Sequence, residues 1–200
     1  MSYSSNLTKE RILNCAMKEF CDKGYNNTNI RNIAKKANVT TGAIYNHFEN
    51  KENLFANIIS DVAENLFNIF ERNHCIYDNM NEFNFNDTNE LFDKTIGIIL
   101  NYFYDFWDEM KLLFLSSDGS KFANFCDRLI FIEEKSMLDI TIKKGIQLDK
   151  TTSFFIHVIS SASIEQLVEV VRHDLTKKEA IEYMKKIQEF YSYGIEKMFD

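Results

Sequence analysis

The chain has 200 residues, no Pro, six Gly, 45% hydrophobic residues and a formal net charge of −7. That length suits one or two domains with a substantial core, and the lack of Pro with so little Gly favours a nearly all-helical chain. No apolar run reaches the roughly 18 residues of a membrane span and no apolar signal segment opens the chain; Cys15, Cys21, Cys75 and Cys126 have no ligand-like spacing, so a reducing cytoplasm is expected, with no disulfide, metal, other cofactor or membrane association.

Residues 8–22 carry Ile12, Leu13, Ala16, Met17 and Phe20 at helical spacing, and Gly24 then stops that helix. Thr28 caps a second short helix with Ile30, Ile33, Ala34 and Ala37 as its inner face. A brief turn at Asn38-Val39 leads into a third. There Val39, Ile44 and Phe48 point inward, which leaves Thr40, Thr41, Ala43, Tyr45, Asn46 and His47 outside. This outer face is small, polar and aromatic. A helix that needed only solubility would carry Lys and Glu, whereas one lying in a DNA major groove needs groups that reach base edges and phosphates. Three short helices with the last two closely spaced make a helix-turn-helix unit. Asn50 caps a fourth helix, with Glu52 in its positive first turn.

The remaining segments also read as helices, giving about nine in all. Residues 51–73 carry the stripe Leu54, Phe55, Ile58, Ile59, Val62, Leu66, Ile69 and Phe70. Residues 75–88, rich in Asn and Asp, are expected to be an irregular connection, with Asp87 and Glu90 as a capping pair for the next helix. Residues 89–107 are apolar nearly all round and read as a central helix of a helical body. Helices at 108–116 and 121–145 are separated by a break at Ser116-Ser117-Asp118-Gly119. Residues 151–173 and 176–199 close the chain, the last behind a Thr176/Glu179 capping box. The apolar stripes of these two, from Phe154 to Val171 and from Ile181 to Phe199, are wider than packing on one neighbour requires.

Four motifs stand together: Gly24-Tyr25-x-x-Thr28, Ile33-Ala34-Lys35-x-Ala37-x-Val39, Gly42-Ala43-Ile44-Tyr45-x-His47-Phe48 and Asn50-Lys51-Glu52-x-Leu54-Phe55. In this order and spacing, over roughly residues 8–55, the chain resembles the TetR family of bacterial transcriptional regulators. The resemblance implies an all-α fold: a three-helix DNA-binding domain at residues 1–50, followed by an effector-binding and dimerisation domain at 51–200. It implies a homodimer through the two C-terminal helices, which presents two recognition helices to successive major grooves of a palindromic operator. Tyr45, His47 and Lys51 match phosphate-contacting positions, Thr28 offers a hydroxyl and helix N–H groups to phosphate, and Arg31 reaches phosphate or a base. Thr40, Thr41, Gly42, Ala43 and Asn46 face the groove, with Ala43 near a thymine methyl and Asn46 suited to adenine. The family often has Lys or Arg where this chain has Thr41, so a contact there is in question.

Residues 1–50 hold seven basic and four acidic residues, net +3, and the remainder nets −10, a polarity that turns the head toward a polyanion. The resemblance further implies a small-molecule effector that favours a DNA-incompetent state, and so a repressor released on binding it. Phe103, Phe106, Trp107, Phe114, Phe122, Phe125 and Phe131 are the candidate lining of its pocket, each of them equally able simply to fill the core. Two alternatives remain: a DNA-binding dimer without an effector, and an all-helical ligand-binding or enzymatic bundle. The second would want Glu-x-x-His pairs on facing helices, a pattern the sequence lacks, and no enzymatic activity is expected.

Overall fold

A computed structural model of the chain describes residues 2–78 and 85–199. These residues are all-α, with nine helices and no strand among them: α1 (Ser2–Asn27), α2 (Ile30–Lys36), α3 (Thr41–His47), α4 (Lys51–Asp78), α5 (Phe85–Asp105), α6 (Trp107–Leu115), α7 (Phe125–Lys143), α8 (Lys150–Arg172) and α9 (Lys177–Phe199). The chain gathers into two compact units, one of Met1–Asn65 with Phe106–Cys126, the other of Leu66–Asp105 with Asp127–Asp200.

In the first unit α1 packs on α2, α3 and α6. Its core is the inner faces read from the sequence: Ile12, Ala16 and Phe20 of α1, Ile33 and Ala34 of α2, Ile44 of α3 with Phe48 just beyond it, and Leu54 and Phe55 of α4. Burying a side chain the size of Phe48 contributes about 2–3 kcal/mol, so α2 and α3, too short to persist alone, are held by these anchors. The Phe55 ring lies 4.8 Å from Phe20, 5.1 Å from Tyr25 and 6.1 Å from Phe122.

In the second unit α5 packs on α9, and the Tyr104 hydroxyl donates to the Leu175 carbonyl at 2.5 Å. Ile164, Leu167, Val168, Val170 and Val171 of α8 are buried, as are Ala180 and Met184 of α9. Both helices also leave apolar side chains outside: Phe154 is 67% exposed and Phe190 73%. α8 is, by length and composition, long and apolar enough to cross a membrane; Ser, Thr, His and Glu interrupt its apolar residues, which hid this from a search for unbroken runs.

Several caps differ from the sequence reading. Thr28 does not cap α2. Asn29 does, its side chain accepting from the Arg31 N–H at 2.9 Å. Gly24 leaves helical geometry at φ 73°, as its role as a stop requires, but a helical turn continues after it to Asn27. Residues 75–78 and 85–88 are helical rather than irregular, while 79–84 and the side chains of Asp87 and Glu90 lie outside the described residues. α5 is not buried all round: Phe103 is fully buried but Ile98 is 52% exposed. The caps at Asn50 and Thr176 form as expected. Asn50 Oδ1 accepts from the Asn53 N–H at 2.8 Å, and Glu179 Oε2 accepts from the Thr176 N–H at 2.8 Å.

Candidate nucleic-acid interface

α3 is entered through a left-handed residue, Asn38 at φ 50°, a conformation Asn adopts more readily than most residues. Thr40 caps it, its Oγ1 accepting from the Ala43 N–H at 3.0 Å. With Ile44 and Phe48 buried, the helix shows its other side to solvent: Tyr45 is 53% exposed, Thr40, Gly42 and Asn46 are exposed, and Thr41, Ala43 and His47 are half-buried. A Cβ on Gly42 would meet nothing closer than Thr40 Oγ1 at 3.7 Å, which is ordinary contact. Packing within the protein therefore does not require glycine there, although glycine costs a helix interior about 1 kcal/mol relative to alanine.

Beside α3 lies an open cleft of about 490 Å³, walled by the turn after α1, the start of α2, Thr41 and Tyr45 of α3, and Lys51. It brings together five of the residues singled out by sequence, Thr28, Arg31, Thr41, Tyr45 and Lys51, and leaves Thr40, Gly42, Ala43, Asn46 and His47 on the helix surface beyond it. Asn26, Asn27 and Asn29 also line it. The sequence reading passed over these amides; their run of three Asn around Thr28 was the available signal.

Two of the five stand differently from expectation. The Thr28 side chain is turned inward: the residue is 4% exposed and its hydroxyl reaches the Gly24 carbonyl at 2.8 Å and the Glu19 carbonyl at 3.1 Å. It ties the turn to α1 rather than offering a hydroxyl to a phosphate. Lys51 Nζ donates to the carbonyls of Tyr25, Asn26 and Thr28 at 2.6, 3.3 and 3.2 Å, which occupies all three donors of an ammonium. Burial holds its pKa below the usual lysine value despite the nearby Glu52 carboxylate. Burial, and then a hydrogen bond to Glu52, push the Tyr25 hydroxyl up to about 12.

Behind this face Glu19 is fully buried and pairs with Lys23 and Lys36, each at 2.5 Å. The hydrogen bonds from Lys23 and Lys36 hold its carboxyl down at about 2 against the cost of desolvation. Two of the head's lysines thus pair with Glu19 while staying exposed, as Arg31 and Lys35 are too.

The aromatics proposed for an effector pocket divide between the two compact units. Phe103 and Phe131 belong to one compact unit and Phe106, Trp107, Phe114, Phe122 and Phe125 to the other. Phe131 is 68% exposed, whereas Phe103, Phe122 and Phe125 are core residues. In the second unit, burial pushes the Glu133 carboxyl up to about 7, and the buried Asn73 amide nitrogen has no hydrogen-bond partner among the described residues, while its oxygen accepts from Thr95 at 3.3 Å.

Residues 12–58 match the family model of the bacterial regulatory proteins of the tetR family. The HTH-type transcriptional regulator YvkB of Bacillus subtilis is 38% identical over 65 residues, 32% of this chain and 34% of that protein. The HTH-type regulator AcrR of Shigella flexneri is 45% identical over 51 residues, 26% and 24% of the two chains. The matched stretch thus spans a quarter to a third of the length of these curated relatives. Among solved structures, a TetR-family regulator from Syntrophomonas wolfei is similar at TM-score 0.56 and 24% identity, covering 94% of this chain and 96% of its own. PfmR of Thermus thermophilus is similar at TM-score 0.60 and 18% identity, covering 90% and 92%. FadR of Bacillus subtilis, solved in complex with stearoyl-CoA, is similar at TM-score 0.56 and 19% identity, covering 90% and 95%. At these identities the structural likeness concerns the fold alone.

Proposed function

We infer that this chain, which belongs to the TetR family through residues 12–58, is a sequence-specific DNA-binding transcriptional regulator: a homodimer that represses from a palindromic operator and is released by a small-molecule effector. Residues 1–50 are its DNA-binding domain and 51–200 its effector-binding and dimerisation domain, in a cytoplasmic protein without enzymatic activity. The observation that carries the reading is the outer face of α3. It exposes Tyr45 and Asn46 and places at Gly42 a glycine that nothing inside the protein requires. Close approach of the groove supplies the missing reason.

In this reading α3 lies in the major groove. Thr40, Thr41, Gly42, Ala43 and Asn46 face the groove, while Tyr45 and Arg31 at the cleft and His47 beyond it hold phosphates. The exposed apolar residues of α8 and α9, Phe154, Phe155, Val158, Ile181 and Phe190, meet their copies across a two-fold axis. The effector reading draws on FadR, which binds an acyl-CoA. It draws also on two polar groups in the second unit that a ligand would satisfy, the Asn73 amide nitrogen, without a partner among the described residues, and the Glu133 carboxyl.

Selection of bound sequences from a random duplex pool at near-physiological salt tests this. Enrichment of a two-fold symmetric motif is the expected result. No enrichment from folded, ligand-stripped protein would end the reading.

A further inference from the structure

The turn at residues 25–28, the end of α1 beyond the break at Gly24, walls the cleft with Asn26, Asn27 and Thr28. It is held from two sides. On one side Lys51 binds three of its carbonyls. On the other comes the stretch between α6 and α7, residues 116–122. The Tyr25 N–H donates to the Ser116 carbonyl at 2.8 Å, and the Lys121 N–H donates to Glu52 Oε1 at 3.2 Å. Between these two ties sits Gly119, at φ +83°; a Cβ placed there would stand 2.0 Å from Asn26 Oδ1 and 2.7 Å from Asn26 Cγ. The backbone angle demands glycine, and a Cβ there would displace the end of the exposed Asn26 side chain seated against it.

We propose that Gly119 is a positioning residue for DNA binding. By leaving room for Asn26 it lets residues 116–122 seat the 25–28 turn, and through that turn the Lys51 anchor and the wall of the cleft that Arg31 and Tyr45 share. This rests on the reading of the cleft and α3 as the DNA face. Hydrogen bonds to phosphate depend on the angle at which their donors are held, and Asn26 itself supplies a backbone carbonyl to Lys51. A methyl group at 119 would unseat the Asn26 side chain, on the residue whose backbone carbonyl holds one end of that anchor.

The test is a double-mutant cycle with the full-length chain and the duplex recovered from the random pool, with affinity per active dimer fixed by stoichiometric titration. Gly119→Ala in the wild-type background should weaken binding about tenfold, and in an Asn26→Ala background by less than about threefold, because the backbone strain is common to both and cancels. Equal losses in the two backgrounds would overturn the proposal. Should Gly119→Ala fail to fold, Glu52→Ala decides. Removing an acidic charge from a DNA face should on charge alone tighten binding, whereas loss of its ties to Lys121 and to the Tyr25 hydroxyl, which together seat the turn, should weaken it about threefold or more; unchanged or tighter binding would overturn the positioning role. Wild-type protein that retains no duplex would instead remove the DNA reading, and this proposal with it.

Discussion

The Lys51 ammonium donates to the Tyr25 carbonyl at 2.6 Å and lies 4.4 Å from the centroid of the same residue's ring. Lys51 opens α4 and Tyr25 lies in the last turn of α1, just past the break at Gly24, so this pair ties together the two helices that flank α2 and α3 in the sequence. Lys51→Ala should cost about 1–3 kcal/mol of stability, the usual range for losing charged hydrogen bonds and leaving acceptors behind. It should also weaken operator binding with little change in the salt slope, because the ammonium is already occupied. Urea unfolding and a salt titration of affinity check both; a slope smaller by about one would show that Lys51 leaves the carbonyls for phosphate.

Glu19 makes a pH prediction with a definite sign. Its carboxyl is held at about 2 in the folded chain against 4.5 ordinarily, so its contribution is fully present above about pH 4.5 and is lost as pH falls toward 2. Glu19→Gln should lower stability at neutral pH by about 1–3 kcal/mol and flatten the acid limb of the stability curve. An acid limb identical to that of the wild type would show that Lys23 and Lys36 do not stabilise the ionised form.

Tyr45 and Asn46 are neighbours with different tasks. Tyr45→Ala, at an exposed position, should leave the thermal midpoint nearly unchanged and weaken binding to all operator variants by a similar factor, about fivefold or more. Asn46→Ala should relax preference at one base pair in each half-site, by about 1–3 kcal/mol of discrimination. Binding-site profiles for the two variants separate the roles; an Asn46→Ala profile matching the wild type would remove the base contact.

The exposed phenylalanines of α8 and α9 test the assembly. Phe154→Glu with Phe190→Glu should yield a folded monomer by sedimentation, since burying the pair of charges against their copies costs several kcal/mol. Operator affinity should fall by orders of magnitude, because a dimer engages both half-sites at once. A double variant that stays dimeric would place the interface elsewhere.

The sequence by itself determined what is local. Periodicity at Ile12, Ala16 and Phe20, the anchors Ile44 and Phe48, the caps at Asn50 and Thr176, and the breaks at Gly24 and Gly119 depend on residues a few positions apart, and the recognition helix is legible for the same reason. The tertiary structure decided which partners distant residues found. Thr28 turned inward to α1 and left the cap to Asn29, because the Glu19 and Gly24 carbonyls lie within its reach. Lys51 found three carbonyls 23 to 26 positions away. Gly119, a loop break in the sequence, became the seat of Asn26. The aromatics from Phe103 to Phe131 look alike as a composition, yet packing buried Phe103 and Phe125 and left Phe131 in solvent. Hydrophobicity says that a side chain gains by burial; only the arrangement of helices decides which ones can have it.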